Sequence, residues 1–359
     1  QLGQDNTVQY SSPIQVPGIT WRSTSYNSAT NNLHSLATKT DGTLWTWGRN
    51  QKGELGLNNT ASYSSPTQIG SGTDWSLNFS ATYKSTLAVK TDGTLWVWGW
   101  NEYGRLGNNE SNNKDYSSPV QVPGTNWSTS VGSISGGMAA NALAIKTDGT
   151  MWAWGNNNYG QFGVNTSGTP SSRSSPVQLP GTTWSKVSNV QWSSYAIKTD
   201  GTLWSWGYNK FGQLGTNTQG PGSGTSKSSP VQIGGGTDWA SLASANYNAI
   251  AIKTDGTLWA WGKNNKGQLG QGSNNPSYYS SPVQIPGTTW VAATSAQEAY
   301  VAVKTDGTLW SWGAQDEGNL GQNNNTNYAS PVQIPGTSWG KELYQLGSMG
   351  HAFSVIKQA

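Results

Sequence analysis

The string Lys-Thr-Asp-Gly-Thr-(Leu/Met)-Trp-x-Trp-Gly returns six times along these 359 residues, with its aspartate at Asp41, Asp92, Asp148, Asp200, Asp255 and Asp306. The successive spacings are 51, 56, 52, 55 and 51 residues. A period of that length makes the chain an array of like units, each burying its apolar face against the next. Two further stations keep the same period. Ser-Pro-(Val/Ile/Thr)-Gln-(Val/Ile/Leu) occurs seven times, at Pro13, Pro66, Pro119, Pro176, Pro230, Pro282 and Pro331. Gly-(Thr/Ile)-x-Trp places one indole per unit at Trp21, Trp75, Trp127, Trp184, Trp239, Trp290 and Trp339.

Each unit reads as four short strands, A to D. Asp-Gly between two alternating runs is a strong hairpin signal, and the expected turn is type I′, with positive φ at both central residues. It joins B to C, as in Ser85 to Lys90 and Thr94 to Gly99 around Asp92-Gly93. The Ser-Pro segment supplies D, whose proline cannot donate a ladder bond and belongs on an outer edge. Strand A starts at the lone Trp, as in Trp184 to Val190. Four antiparallel strands per unit, with no helical periodicity, is the arithmetic of an all-β propeller. Composition agrees: aliphatics are sparse, and 21 Trp with 46 Gly supply large packing surfaces and tight turns instead.

The run Trp-x-Trp-Gly-x-Asn-x-x-Gly-x-Leu-Gly stands at Trp98, Gly99, Asn101, Gly104, Leu106 and Gly107, and again from Trp206 to Gly215. It resembles the regulator-of-chromosome-condensation repeat over essentially the whole chain. The resemblance implies a seven-bladed β-propeller with four-stranded antiparallel blades, of the bacterial or phage type. It selects no single function. Proteins of this kind include guanine-nucleotide exchange factors, a plant ultraviolet photoreceptor, secreted bacterial inhibitors of β-lactamase, and proteins of bacteria and phages.

On this reading residues 1–359 form one domain, with blades at 21–70, 75–124, 127–181, 184–235, 239–287 and 290–336. Blade 7 is shared between the termini, 339–359 plus 1–18. Ser354 to Lys357 match a strand-B run and Gln1-Leu2-Gly3 match Gln268-Leu269-Gly270, so strands A and B are expected from Trp339 to Lys357 and D from Ser12 to Val16. Nothing supplies strand C, which would leave open edges. The expectation is a removed or omitted upstream segment, or a strand donated by another chain. The start at Gln1 reads as a processed or excised product.

Several chemistries drop out. With no Cys there are no disulfides, thiolate metal sites or cysteine nucleophiles. No apolar run approaches the roughly 20 residues that span a bilayer, so no membrane insertion is expected. Lys39, Lys90, Lys146, Lys198, Lys253, Lys304 and Lys357 share one repeat position around a ring, which leaves no basic stripe for nucleic acid. The turn aspartates, one per blade, cannot converge on one ion or one scissile bond. His34 and His351 are the only histidines and read as packing residues without a third ligand. Gly220 to Lys227 lacks the Gly-Lys-Ser/Thr end of a phosphate loop. No catalytic residue, metal or cofactor is therefore expected, and no enzyme. Only Trp100 and Trp192 lie off the Trp pattern, too few for the clustered Trp and charges of a photoreceptor.

The A–B and C–D connections carry most of the irregularity between units. Tyr83, Trp100, Tyr103, Met138, Tyr159, Trp192, Tyr208, Phe211 and Tyr247 concentrate there in blades 2 to 5. Aromatics among Asn and Lys suit a protein or a glycan ligand. The long insertions, Asn108 to Tyr116, Val164 to Arg173 and Thr216 to Lys227, are rich in Asn, Ser, Thr and Gly. The expectation is a binding module on an extracellular, cell or virion surface. The alternative is a secreted inhibitor or regulator of an enzyme, like the β-lactamase-inhibiting propellers; an exchange factor fits less well.

Overall fold

The computed structural model describes all residues except 1, 7, 25–32, 111–113, 167–171, 219–224, 297, 316–317, 350–351 and 358–359, and leaves out the side chains of 348 and 349. It contains six four-stranded antiparallel sheets, each with its strands side by side in chain order. They run from Trp21–Thr24 to Tyr63–Gln68, Trp75–Ala81 to Tyr116–Gln121, Ile134–Gly136 to Arg173–Gln178, Trp184–Val190 to Lys227–Gln232, Trp239–Ala245 to Tyr278–Ile285, and Trp290–Ala296 to Tyr328–Ile334. First strands of neighbouring blades touch one another, which places strand A innermost around the axis.

The expected seventh blade is not formed. Among the described residues after blade 6 there is only a two-stranded sheet, Leu346–Met349 with Ala352–Val355, and Trp339 meets Lys357 in an isolated bridge. Residues 12–16 form no strand. Within these 359 residues a third strand would need an Asp-Gly turn and a Trp-x-Trp run beside Ala352–Val355, and no unpaired copy of that pattern stands elsewhere in the sequence. The two-stranded sheet packs against the first strands of blades 6 and 1.

The B–C turns also differ from expectation. Lys39 N–H bonds Thr43 O and Gly42 N–H bonds Lys39 O, both at 3.1 Å, and of Asp41 and Gly42 only Gly42 has a positive φ, 80°. This is a three-residue loop ending on a left-handed glycine, which needs one such residue where type I′ needs two. The aspartate caps it: Asp41 Oδ1 accepts from Thr43 N at 3.0 Å and Thr43 Oγ1 at 2.6 Å, and Trp45 Nε1 donates to Thr43 Oγ1 at 2.8 Å. All six turns repeat the arrangement. These bonds hold the aspartate carboxyls below their usual range, the threonine hydroxyl being the largest cause.

Strand D lies outermost, and the register slips between C and D at the Trp-Gly that ends C, opposite the proline-bearing part of D. A bulge is where a proline costs the ladder least. Blades then lock to one another through the second Trp of Trp-x-Trp. Trp98, Trp154, Trp206, Trp261 and Trp312 donate Nε1–H to the carbonyls of Glu54, Arg105, Gln161, Gln213 and Gln268 in the preceding blade, at 2.7 to 3.0 Å. Apolar clusters straddle the same seams, as where Leu87 and Val97 of blade 2 pack with Ala142 and Trp154 of blade 3.

Candidate binding face

In an antiparallel blade the A–B and C–D connections leave at one end, and the nine singled-out side chains sit on such connections in blades 2 to 5. A backbone bond sets their pairing. The residue after the strand-C glycine donates its N–H to the carbonyl of an A–B loop residue: Tyr208 to Trp192 at 2.9 Å, Trp100 to Lys84 at 2.8 Å, Lys263 to Tyr247 at 2.9 Å. A C–D side chain therefore stands beside the A–B side chain of its own blade. Trp192 and Tyr247 close two-residue loops, since Val190 pairs Ser193 and Ala245 pairs Asn248.

Five of the nine side chains form one connected group of rings. Trp192 lies 5.3 Å from Tyr208, 5.2 Å from Tyr159 and 6.1 Å from Tyr247, centroid to centroid. Tyr159 is 5.0 Å from Tyr208, and Phe211 is 5.0 Å from Tyr247. Three blades contribute, and every member is only half-buried. Lys210 stands 5.5 Å from the Phe211 ring and Lys263 5.6 Å from Tyr247, with Lys263 Nζ also 2.7 Å from Glu298. Burial first, and a neighbouring tyrosine second, raises the hydroxyl pKa of both Tyr208 and Tyr247, so both present neutral hydroxyls.

Tyr83 and Trp100 form a second group, 6.4 Å apart. Three cations surround that indole: Arg105 at 4.3 Å, Lys84 at 4.5 Å and Lys52 at 6.0 Å. The Arg105 guanidinium is almost wholly buried beside Glu102, 3.5 Å away, and burial lowers its pKa to about 10. It stays charged at neutral pH. Lys52 pairs with Asp115 at 3.0 Å. Tyr103 is the most exposed of the nine, at 45%, on a positive φ of 60°. Neither it nor Met138 joins a ring pair among the described residues.

The aromatics stand out in the sequence, whereas these cations do not. Arg105 occupies the x of Gly-x-Leu-Gly, where the other blades have Glu54, Gln161, Gln213, Gln268 and Asn319; that one odd residue was the available signal. His34 is buried, 1% exposed, with Nε2 2.8 Å from Thr86 Oγ1 of the next blade. Desolvation lowers its pKa to about 3. His351 lies outside the described residues. Among the described residues no group of three or more His, Cys, Asp or Glu could hold a metal ion, and no helix is long and apolar enough to cross a membrane.

A family model described as the RCC1-like domain matches residues 1–356. The chain belongs to the RCC1-like domain family. Among similar proteins, the ultraviolet-B receptor UVR8 of Arabidopsis thaliana is 31% identical over 251 residues, which is 67% of this chain and 53% of the receptor. The human E3 ubiquitin-protein ligase HERC2 is 28% identical over 249 residues, 67% of this chain and 5% of the ligase. This RCC1-like domain thus spans about half of the one relative and a small fraction of the other. Prp20p of Saccharomyces cerevisiae has the same fold, with a TM-score of 0.78 at 20% identity over 92% of this chain and 82% of that one. Human WBSCR16 superposes with a TM-score of 0.73 at 20% identity, over 86% of this chain and 80% of its own. Blade packing and turn chemistry account for the residues that recur in every unit of this RCC1-like domain. They do not account for the nine loop side chains.

Proposed function

We propose that this chain is a non-enzymatic protein-binding module that docks its partner on the A–B/C–D loop face of blades 2 to 5. The observation that carries the reading is the connected group Tyr159, Trp192, Tyr208, Tyr247 and Phe211, half-buried at the loop end of an otherwise uniform scaffold. Trp and Tyr are among the side chains that most often anchor protein interfaces. RCC1-like propellers are a family of protein-binding modules, and solved relatives support the reading: Prp20p is described with its binding to Gsp1p and histones, and in a complex with Kap60. The Asn, Ser, Thr and Gly character of the insertions favours an extracellular or virion surface as the place where this happens.

Affinity capture with the wild type and with Trp192→Ala/Tyr208→Ala, side by side, tests the proposal. A partner retained by the wild type should be lost from the double variant, at least 30-fold weaker if the pair contributes about 2 kcal/mol or more. Equal capture by both proteins would place the interface elsewhere. Labelled secretion to the medium or incorporation into virions checks the location, which retention inside the producing cell would refute.

A further inference from the structure

The outer rim carries a second kind of recess that the loop face does not use. Between blades 1 and 2, a groove of about 460 Å³ is lined by Asn58, Gln68, Trp75, Lys90, Trp96 and Pro119, among others. Between blades 2 and 3, one of about 330 Å³ is lined by Asn109, Trp127, Lys146, Trp152, Ser175 and Pro176. These are the same stations one unit apart. In each, the strand-C indole is half-buried and fixed, Trp96 donating to Thr94 Oγ1 at 2.9 Å and Trp152 to Thr150 Oγ1 at 3.0 Å. Lys90 lies 5.1 Å from both Trp75 and Trp96, and Lys146 lies 5.0 Å from both Trp127 and Trp152. On the opposite wall Asn58 and Asn109, at φ 59° and 65°, accept from Ser118 and Ser175 through Oδ1 at 3.1 and 2.7 Å. That commits the amide oxygens and leaves the Nδ2 hydrogens of two exposed side chains without a partner among the described residues.

Two features decide what would fit. The first is repetition: the Lys between two Trp recurs in blades 4 and 5 at Lys198 and Lys253, faced by Asn165 and Asn217 at φ 60° and 58°, whose Oδ1 accept from Ser229 and Ser281 at 3.4 Å, and in blade 6 at Lys304, where Gly272 takes the asparagine's place. An array of like recesses matches a partner that is itself repetitive. The second is charge. Lys146 is offset by the ionised turn aspartate Asp148, and Lys90 both by Asp92 and by Asp74, 3.1 Å away. The grooves therefore carry no net positive charge to hold a polyanion. A fixed half-exposed indole, amide donors and balanced charge complement an uncharged pyranose, which stacks its C–H face on the ring and offers hydroxyl acceptors to the amide.

We infer that the rim grooves are repeated subsites for a neutral polysaccharide, one sugar ring on the strand-C indole of each of blades 2 to 5 with the facing asparagine bonding its hydroxyls. Each subsite alone is weak. Joined along one polymer, they gain about 10² to 10⁴ in avidity. The full chain should be retarded in native gels containing at least one neutral polysaccharide from a panel of β-glucan, xylan and galactomannan, and not by polygalacturonate alone. Asn58→Asp/Asn109→Asp/Asn165→Asp/Asn217→Asp removes the donors without disturbing the turn, since Asp5 already occupies the equivalent left-handed position at φ 58° and accepts from Ser65 at 2.9 Å. That variant should lose retardation at least tenfold in apparent affinity, while Trp192→Ala/Tyr208→Ala runs as the wild type. Absence of retardation by every neutral polymer, retardation by the acidic polymer only, an unchanged aspartate variant, or loss in the Trp192/Tyr208 variant would each overturn the inference. None of these results bears on protein capture by the loop face.

Discussion

His34 gives the clearest residue-scale consequence of the packing. Its imidazole titrates near 6.5 in an unfolded chain, and burial lowers this to about 3. Between those values the unfolded chain holds a proton that the folded one refuses. Stability is therefore full above pH 6.5 and falls as pH drops towards 3. The shift corresponds to about 5 kcal/mol at the acid end. The six turn aspartates add a loss of the same sign, because their lowered folded values make their stabilisation present above the unfolded range and lost as pH falls through the folded one. That loss begins only below about pH 4. The urea midpoint of the wild type should accordingly fall between pH 7 and 4.5, and that of His34→Gln should stay nearly level. Parallel behaviour of the two proteins would mean that His34 is protonated in the folded state.

At the scale of the strand and loop, the glycine before the variable x of Gly-x-Leu-Gly sets how closely blades approach. A Cβ on Gly160, at φ 81°, would lie 2.7 Å from Ser228 Cα in the next blade. Gly234, at φ 60°, has nothing within 4 Å of the same position. Gly160→Ala should cost roughly 2–4 kcal/mol from overpacking and backbone strain together, and Gly234→Ala only about 1 kcal/mol from strain. Chemical denaturation of the two variants would compare them; equal losses would show that the seam yields. The strand order and the place of the B–C turns were legible in the sequence, because each follows from a local pattern repeated six times, and the loop end bearing the aromatics was legible as the end where the units differ. The turn type was not, since Asp-Gly alone does not say which residues close the loop, and here Lys39 and Thr43 do. Nor was the cation ring around Trp100, because Arg105 reaches it from a position that reads as scaffold. Blade 3 departs too: Trp127 keeps only a bridge to Lys146, and its first strand starts at Ile134.

At the scale of the whole molecule, the recurring stations and the paired strands give different numbers of units. A Trp, a Lys and a Ser-Pro recur seven times, but the Trp-x-Trp run on which strand D is built stands six times within these 359 residues, and among the described residues four paired strands form six times. The N-terminal segment still spans the gap. Asn323 N–H bonds Ser11 O at 2.9 Å, and Asp5 N–H bonds Ser64 O at 3.2 Å, joining blade 6 to blade 1. The same bond links Asn58 to Ser117 and Asn109 to Ser174 elsewhere. Deleting residues 1–16 should lower the melting temperature by on the order of 5 °C; an unchanged value would show that the six blades hold together without the clasp.

The indole bonds between blades end on a main-chain carbonyl, so the side chain beside it is free to be Glu54, Arg105 or Gln161 without altering the joint. Each blade thus meets its neighbour through a universal coupling. Unequal crossing-over between two copies of the coding unit would insert or delete a whole blade with both new joints already fitted, and point changes at the coupling would rewrite the face above without loosening the ring below.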